Sequence, residues 1–193
     1  MFSSIAAPVH NFFNNKRVRS IFLSVRVPLF LVAAALVVYF LDPEWFLPSI
    51  IVSAVGLVGQ LWCFGALLKR KVLAMKGPYA VSRNPMYIAR YVLILGALGF
   101  TGNIYILIGF TLIYYFYMVN RVKREEAKLR DAFGQDYLDY CSRIRRYLPT
   151  FRGLQWRDLW FFRWEYFIDN NGHWNLIAVT AFYVACFLKF QWK

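Results

Sequence analysis

Apolar residues in this chain gather into five long runs separated by polar or turn-forming breaks. The first covers residues 21–41 and is long enough to span, since about 20 apolar residues cross a bilayer's hydrocarbon core. Its Arg26 and Pro28 lie near the basic end, where an arginine can snorkel to the headgroups. The acidic turn Asp42-Pro43-Glu44 leads into a second run, 46–68, which ends on Lys69-Arg70-Lys71 and makes a helical hairpin with the first. A third run, 86–100, is short for a span unless its helix begins at Pro85, a residue suited to a first turn, with Asn84 as the N-cap. Thr101-Gly102-Asn103 is a tight turn, and 104–121 forms the fourth span.

Beyond residue 121 the chain becomes charged but stays helix-favouring, with Val122, Leu129 and Phe133 recurring near helical spacing. The fourth helix is therefore expected to project into water until Gly134 breaks it, with a shorter helix through Tyr137 and Tyr140. Arg143-Ile144-Arg145-Arg146-Tyr147-Leu148-Pro149 returns the chain to a basic surface, and the aromatic-rich stretch 156–167 suits the headgroup layer. A fifth run, 174–190, completes the pattern. The expectation is an all-α integral membrane bundle of five transmembrane helices, at about 21–41, 46–68, 86–100, 104–121 and 174–190, forming one domain over 1–193.

Composition agrees, with 60% apolar and 20% aromatic residues. The net charge of +13 could suggest nucleic acid, but the basic residues cluster at the ends of apolar runs, which reads as topology and lipid contact. Lysines and arginines fill the N-terminal region, the 69–90 loop and the 121–163 segment, and are absent from the turns at 42–44 and 101–103. Five spans then put the N-terminus and all three basic regions in the cytoplasm and the C-terminus outside. The first run is too long for a signal-peptide core, so no cleavage is expected.

Several chemistries are excluded. Cys63, Cys141 and Cys186 have no paired or metal-like spacing and read as small hydrophobes. His10 and His173 are the only histidines, His173 reading as an interfacial anchor. The chain has no metal cluster, glycine-rich phosphate loop or Ser-His-acid arrangement. What remains are two basic-polar segments, 69–90 and 121–149, able to converge on one cytoplasmic pocket. In the first, Gly77-Pro78 and Asn84-Pro85 mark turns that fold the backbone where it leaves the bilayer. In the second, Arg121 and Glu125 lie four apart and share a helix face: either an ordinary surface ion pair or part of a site. Gln60, an amide inside the second span, reads equally as an interhelical hydrogen bond or a functional group.

The order Gly77-Pro78-Tyr79, Arg83-Asn84-Pro85-Met86-Tyr87, Glu125-Glu126, Leu129, Phe133-Gly134, Tyr137, Tyr140 and Leu148-Pro149 resembles the isoprenylcysteine carboxyl methyltransferase family over roughly the C-terminal two thirds. Membrane phospholipid N-methyltransferases share the pattern, usually with Arg-His-Pro where this chain has Arg83-Asn84-Pro85. The resemblance implies S-adenosylmethionine as methyl donor, in a cytoplasmic pocket built from the loop after helix two and the extension of helix four. It puts Tyr79, Asn84, Pro85, Met86, Tyr87 and Glu125 on donor-binding positions, with Leu73 and Ala74, and their neighbours Lys71 and Val72, contributing beside them. Gln60 could reach the donor from the membrane side. Arg121 falls on a position associated with the methyl-accepting substrate, and Arg121 and Glu125 are the expected catalytic pair.

Asparagine keeps a donor and an acceptor but does not titrate, so Asn84 can serve in hydrogen bonding but not in proton transfer. Methylation of a carboxylate needs no strong base, whereas an amine must shed a proton. The resemblance therefore implies esterification of a C-terminal isoprenylcysteine carboxylate, with a phospholipid (ethanolamine) N-methyltransferase as one alternative and a non-catalytic membrane scaffold as another. Expected partners are a prenylated cysteine or other lipid and membrane lipids, in the plasma membrane of a prokaryote or the endoplasmic reticulum of a eukaryote.

Overall fold

The structure is a computed structural model and describes residues 15–68 and 72–192. Among these, all regular structure is helical. Helix α1 (Lys16–Tyr39) starts with the Asn15 side chain accepting from the Arg17 N–H at 2.9 Å. A 3-10 turn, Pro43–Trp45, follows, capped by Asp42, and leads into α2 (Phe46–Ala66). A second 3-10 turn, Gly77–Ala80, precedes α3 (Pro85–Gly99) and the 40-residue α4 (Ile104–Arg143). Two short helices, α5 (Trp156–Leu159) and α6 (Trp164–Asp169), lead to α7 (Gly172–Gln191).

Three stretches are long and apolar enough to cross a membrane: Pro43–Ala66, Ile104–Arg143 and Gly172–Gln191. The other two expected spans correspond to shorter apolar helices, Val27–Tyr39 and Pro85–Gly99. The 15 residues of α3 reach only about 22 Å at ~1.5 Å per residue, against a hydrocarbon core of roughly 30 Å. This helix packs closely against α2.

Small residues make that packing possible. A Cβ on Gly56 would lie 2.1 Å from the backbone nitrogen of Leu93, and one on Gly96 would lie 2.3 Å from that of Ser53. The helix backbones therefore touch, as small residues allow where lipid offers no hydrophobic drive to associate. Ser53, fully buried, donates to the Leu93 carbonyl at 3.0 Å and lies 2.8 Å from the Tyr183 hydroxyl, which donates to it, tying α2 to both α3 and α7. Gly56→Ala is expected to push α2 and α3 apart at a cost of about 1–3 kcal/mol. Gly109→Ala, whose Cβ would meet nothing within 4 Å, should be neutral or slightly stabilising; melting curves in detergent compare the two.

At one end of the bundle Val37, Leu41, Phe100 and Cys186 form a buried cluster flanked by Phe46 and Phe190, whose rings stack at 4.5 Å. The Asp42 N–H donates to the Phe100 carbonyl at 2.8 Å, and a Cβ on Gly102 would come within 2.8 Å of the Asp42 carboxylate and the Trp45 ring. The two turns that lack lysine and arginine are thus in contact, as an arrangement of both on one membrane side requires.

At the opposite end of α2, the aromatic segment wraps its C-terminus. Asn170 donates to the Phe64 and Leu67 carbonyls at 2.9 and 2.5 Å, and the Arg163 N–H donates to Gly65 at 2.9 Å. These bonds satisfy carbonyls that a helix end leaves without partners. Gly77, at φ +62°, fits here because a Cβ would lie 2.7 Å from Ala66 and 3.0 Å from the Phe161 carbonyl. The stretch 156–167, expected in the headgroup layer, exposes Trp156, Trp160 and Trp164 while Phe167 is buried.

Candidate active site

The loop before α3 is held in shape by the chain that follows α4. The Arg83 N–H donates to the Arg145 carbonyl at 3.0 Å and the Thr150 N–H to the Val81 carbonyl at 2.7 Å, so the turn at 81–83 and the 145–150 segment are tied together backbone to backbone. Tyr140 reaches the Tyr79 carbonyl at 2.7 Å, and the Ser82 hydroxyl lies 3.2 Å from the Tyr147 carbonyl it donates to. Tyr79 itself is buried against Cys63, Ala66, Ala74 and Met86, and burial pushes its phenol well above the ordinary value, leaving a neutral hydroxyl.

Two ionic groups sit side by side on α4. In the first, Glu125 accepts from the Tyr87 hydroxyl at 2.6 Å and pairs with Arg121 at 2.8 Å, while Arg121 Nε donates to the Tyr87 oxygen at 3.3 Å. The Tyr114 hydroxyl donates to the Tyr87 carbonyl at 2.8 Å, fixing the start of α3 against α4. The Arg121 and Glu125 side chains remain 43% and 38% exposed, so ligands can reach both. Because Nε and one terminal nitrogen are engaged, the guanidinium retains a further donor nitrogen for a carboxylate.

The second group surrounds Glu126. Arg146 donates to both its oxygens, at 3.2 and 2.6 Å, Asn84 Nδ2 donates at 3.1 Å, and Arg83 lies at 3.7 Å. Arg83 also contacts Cys141. The bonds from Arg146 to Glu126 hold its guanidinium pKa above the ordinary value. Asn84 stands at the N-cap position of α3 as expected, but its side chain does not cap: it turns to Glu126 and to the Arg146 carbonyl at 3.3 Å. A buried carboxylate is costly unless donors satisfy it, and Glu126 takes the Asn84 amide.

Of the residues expected to bind the donor, Asn84, Pro85, Met86, Tyr87 and Glu125 gather where α3 begins against α4, next to the expected substrate contact Arg121. Leu73 packs against Tyr137 and Tyr140, and Ala74 against the Tyr79 cluster, whereas Val72 is exposed. Lys71 lies outside the described residues. Gln60 is buried on α2, and its Oε1 has no hydrogen-bond partner, so the interhelical bond does not account for that oxygen. An orphaned buried acceptor, a reachable carboxylate and a tyrosine-lined loop fit a ligand rich in hydroxyl and amino donors, as S-adenosylmethionine is.

The sequence reading missed Glu126 and Arg146 as members of the site. Their signal was present in the Glu-Glu pair and the 143–146 arginines, but only the backbone pairing of 81–83 with 145–150 reveals that they meet.

The chain is thus a helical bundle with three helices long and apolar enough to cross a membrane and two polar groups midway along its longest helix. Residues 46–136, a little under half the chain, match the phospholipid methyltransferase family. The chain is also 29% identical over 83 residues to protein-S-isoprenylcysteine O-methyltransferase of Xenopus laevis, a match covering 43% of this chain and 29% of that relative. The resemblance carried by the motifs is thereby shown, and its level is that of a membrane methyltransferase. The aligned stretch spans less than a third of the relative's length. No solved structure matches.

Proposed function

We propose that the chain methylates the carboxylate of a C-terminal isoprenylcysteine with S-adenosylmethionine as donor, at the basic face of a five-span bundle on the cytoplasmic side. The observation that carries this reading is the Arg121-Tyr87-Glu125 group, which puts a reachable cation and a reachable carboxylate side by side where α4 meets the first turn of α3. S-adenosylmethionine, when bound, supplies an electrophilic methyl group on a sulfonium. Glu125 and Tyr87 would hold its polar groups, with Gln60 and the 79–87 loop beside them. Arg121 orients the acceptor: its guanidinium fork binds a carboxylate and restricts the direction of the attacking oxygen. No proton has to leave, so the non-titrating Asn84 is no handicap.

The family match favours a second reading, phospholipid N-methylation at the ethanolamine amine. Against a scaffold without catalysis stands the convergence of Arg121 and Glu125 with Tyr87; Arg83, expected to join them, pairs instead with the adjacent Glu126.

The two enzymatic readings separate in one assay. Purified protein is given labelled S-adenosylmethionine with a farnesylcysteine analogue and, in parallel, with phosphatidylethanolamine. Transfer to the farnesylcysteine carboxylate as a base-labile ester is expected. Transfer confined to the amine lipid would replace the first reading by the second.

A further inference from the structure

A cavity of about 830 Å³ lies beyond the donor group, between the end of α4 and the segment that runs into α5. Five arginines line it: Arg83, Arg143, Arg145, Arg146 and Arg152. None of the residues expected to bind the donor or Arg121 contributes to its wall. Its one acidic residue, Asp158, is already paired with Lys76 at 3.7 Å.

The arginines are not equivalent. Arg83 and Arg146 are neutralised by Glu126. Among the described residues Arg143 donates only to the Asp139 carbonyl, at 3.3 Å, and the guanidinium groups of Arg145 and Arg152 make no hydrogen bond or ion pair. Three cations without an acid therefore face one cavity. They are brought there by the backbone pairing of 81–83 with 145–150 and by the Arg145 N–H, which donates to the Thr150 hydroxyl at 3.2 Å. Such a concentration of one sign focuses field on an anion.

The surroundings select its kind. Leu148, Phe151 and Trp156, interleaved in sequence with these arginines, are 65%, 67% and 68% exposed. Large apolar side chains so exposed beside cations suit the headgroup layer, where rings and alkyl groups enter the acyl boundary and cations remain with the phosphates. Arginine forks match phosphate oxygens in pairs. We infer that this cavity is a binding site for a phosphate group, occupied by the headgroup of an anionic phospholipid. The inference does not depend on the reaction proposed above.

The test uses the full chain in detergent and native mass spectrometry, adding phosphatidylglycerol or phosphatidylcholine at equal ratios. Phosphatidylglycerol adducts should exceed phosphatidylcholine adducts about thirtyfold, taking the attraction of two arginines to an anionic surface, and the excess should vanish in Arg145→Ala/Arg152→Ala. Should that variant not fold, judged by its melting curve, Arg145→Gln/Arg152→Gln gives the same readout with the side-chain stems retained. Inorganic phosphate forms the second arm. If it binds as tightly as phosphatidylglycerol and displaces it completely, the lipid assignment falls and a free-phosphate site replaces it. Equal retention of the two lipids, or an excess that survives both arginine substitutions, overturns the inference.

Discussion

Glu126→Ala is expected to lower the melting temperature by about 6–12 °C and to weaken donor binding, although Glu126 itself is not among the proposed donor contacts. Glu126 is 6% exposed and joins three parts of the chain: α4, the loop before α3 through Asn84 and Arg83, and the segment after α4 through Arg146. Removing one partner of a buried ion pair costs about 3–5 kcal/mol because the remaining charge is left without compensation. Here the lower end applies. The Arg146 side chain is 49% exposed and can return to water, whereas that of Arg83, at 13%, cannot readily do so. A loss of about 3 kcal/mol in a chain of this size corresponds to the stated shift. Glu126→Gln keeps an acceptor for Asn84 and should lose roughly half as much. Thermal melts in detergent with and without S-adenosylmethionine measure both effects. Unchanged melting in the alanine variant would show that the three segments are held together by other contacts.

Arg121→Ala should reduce kcat/KM for a carboxylate acceptor by roughly 30- to 150-fold, equivalent to about 2–3 kcal/mol. The figure sits at the low end for a charge-assisted contact because the Arg121 side chain is 43% exposed and water partly replaces it. Arg121→Lys restores the charge but not the planar fork, so it should recover only part of the rate. Donor affinity should fall less than acceptor turnover, since Tyr87 and Glu125 keep their own 2.6 Å bond. Steady-state kinetics with the farnesylcysteine analogue, paired with calorimetric titration of the donor, separate the two. Activity of the alanine variant within about threefold of wild type would remove Arg121 from the acceptor site and return its pair with Glu125 to an ordinary surface interaction.

The helices were legible because their cause is local. Apolar runs bounded by Asp42-Pro43-Glu44 and Thr101-Gly102-Asn103 became helices near the expected limits, and Gly134 breaks α4 with φ +51°. That Arg121 and Glu125 meet followed from helical spacing, whereas their grouping with Tyr87 was expected only from the motif resemblance. Asn84 was misread in one respect. From sequence its side chain serves the helix it precedes, but a carboxylate 42 residues later competes for the same amide and wins.

By itself, the sequence determined the helical character, the polar loop at 69–87, the clustering of positive charge and the motifs shared with membrane methyltransferases, all set by residue type and short-range spacing. Only the tertiary structure decided that, of two adjacent glutamates, Glu125 stays partly exposed while Glu126 is buried. That choice depends on Arg146 arriving from beyond the end of α4, on Tyr87 arriving at the start of α3, and on the direction each imposes. Long-range pairing also decided that Gly56 and Gly96 are contact points between backbones and that five arginines share one cavity. Such arrangements depend on how segments far apart in the chain pack together, and residue periodicity does not encode that.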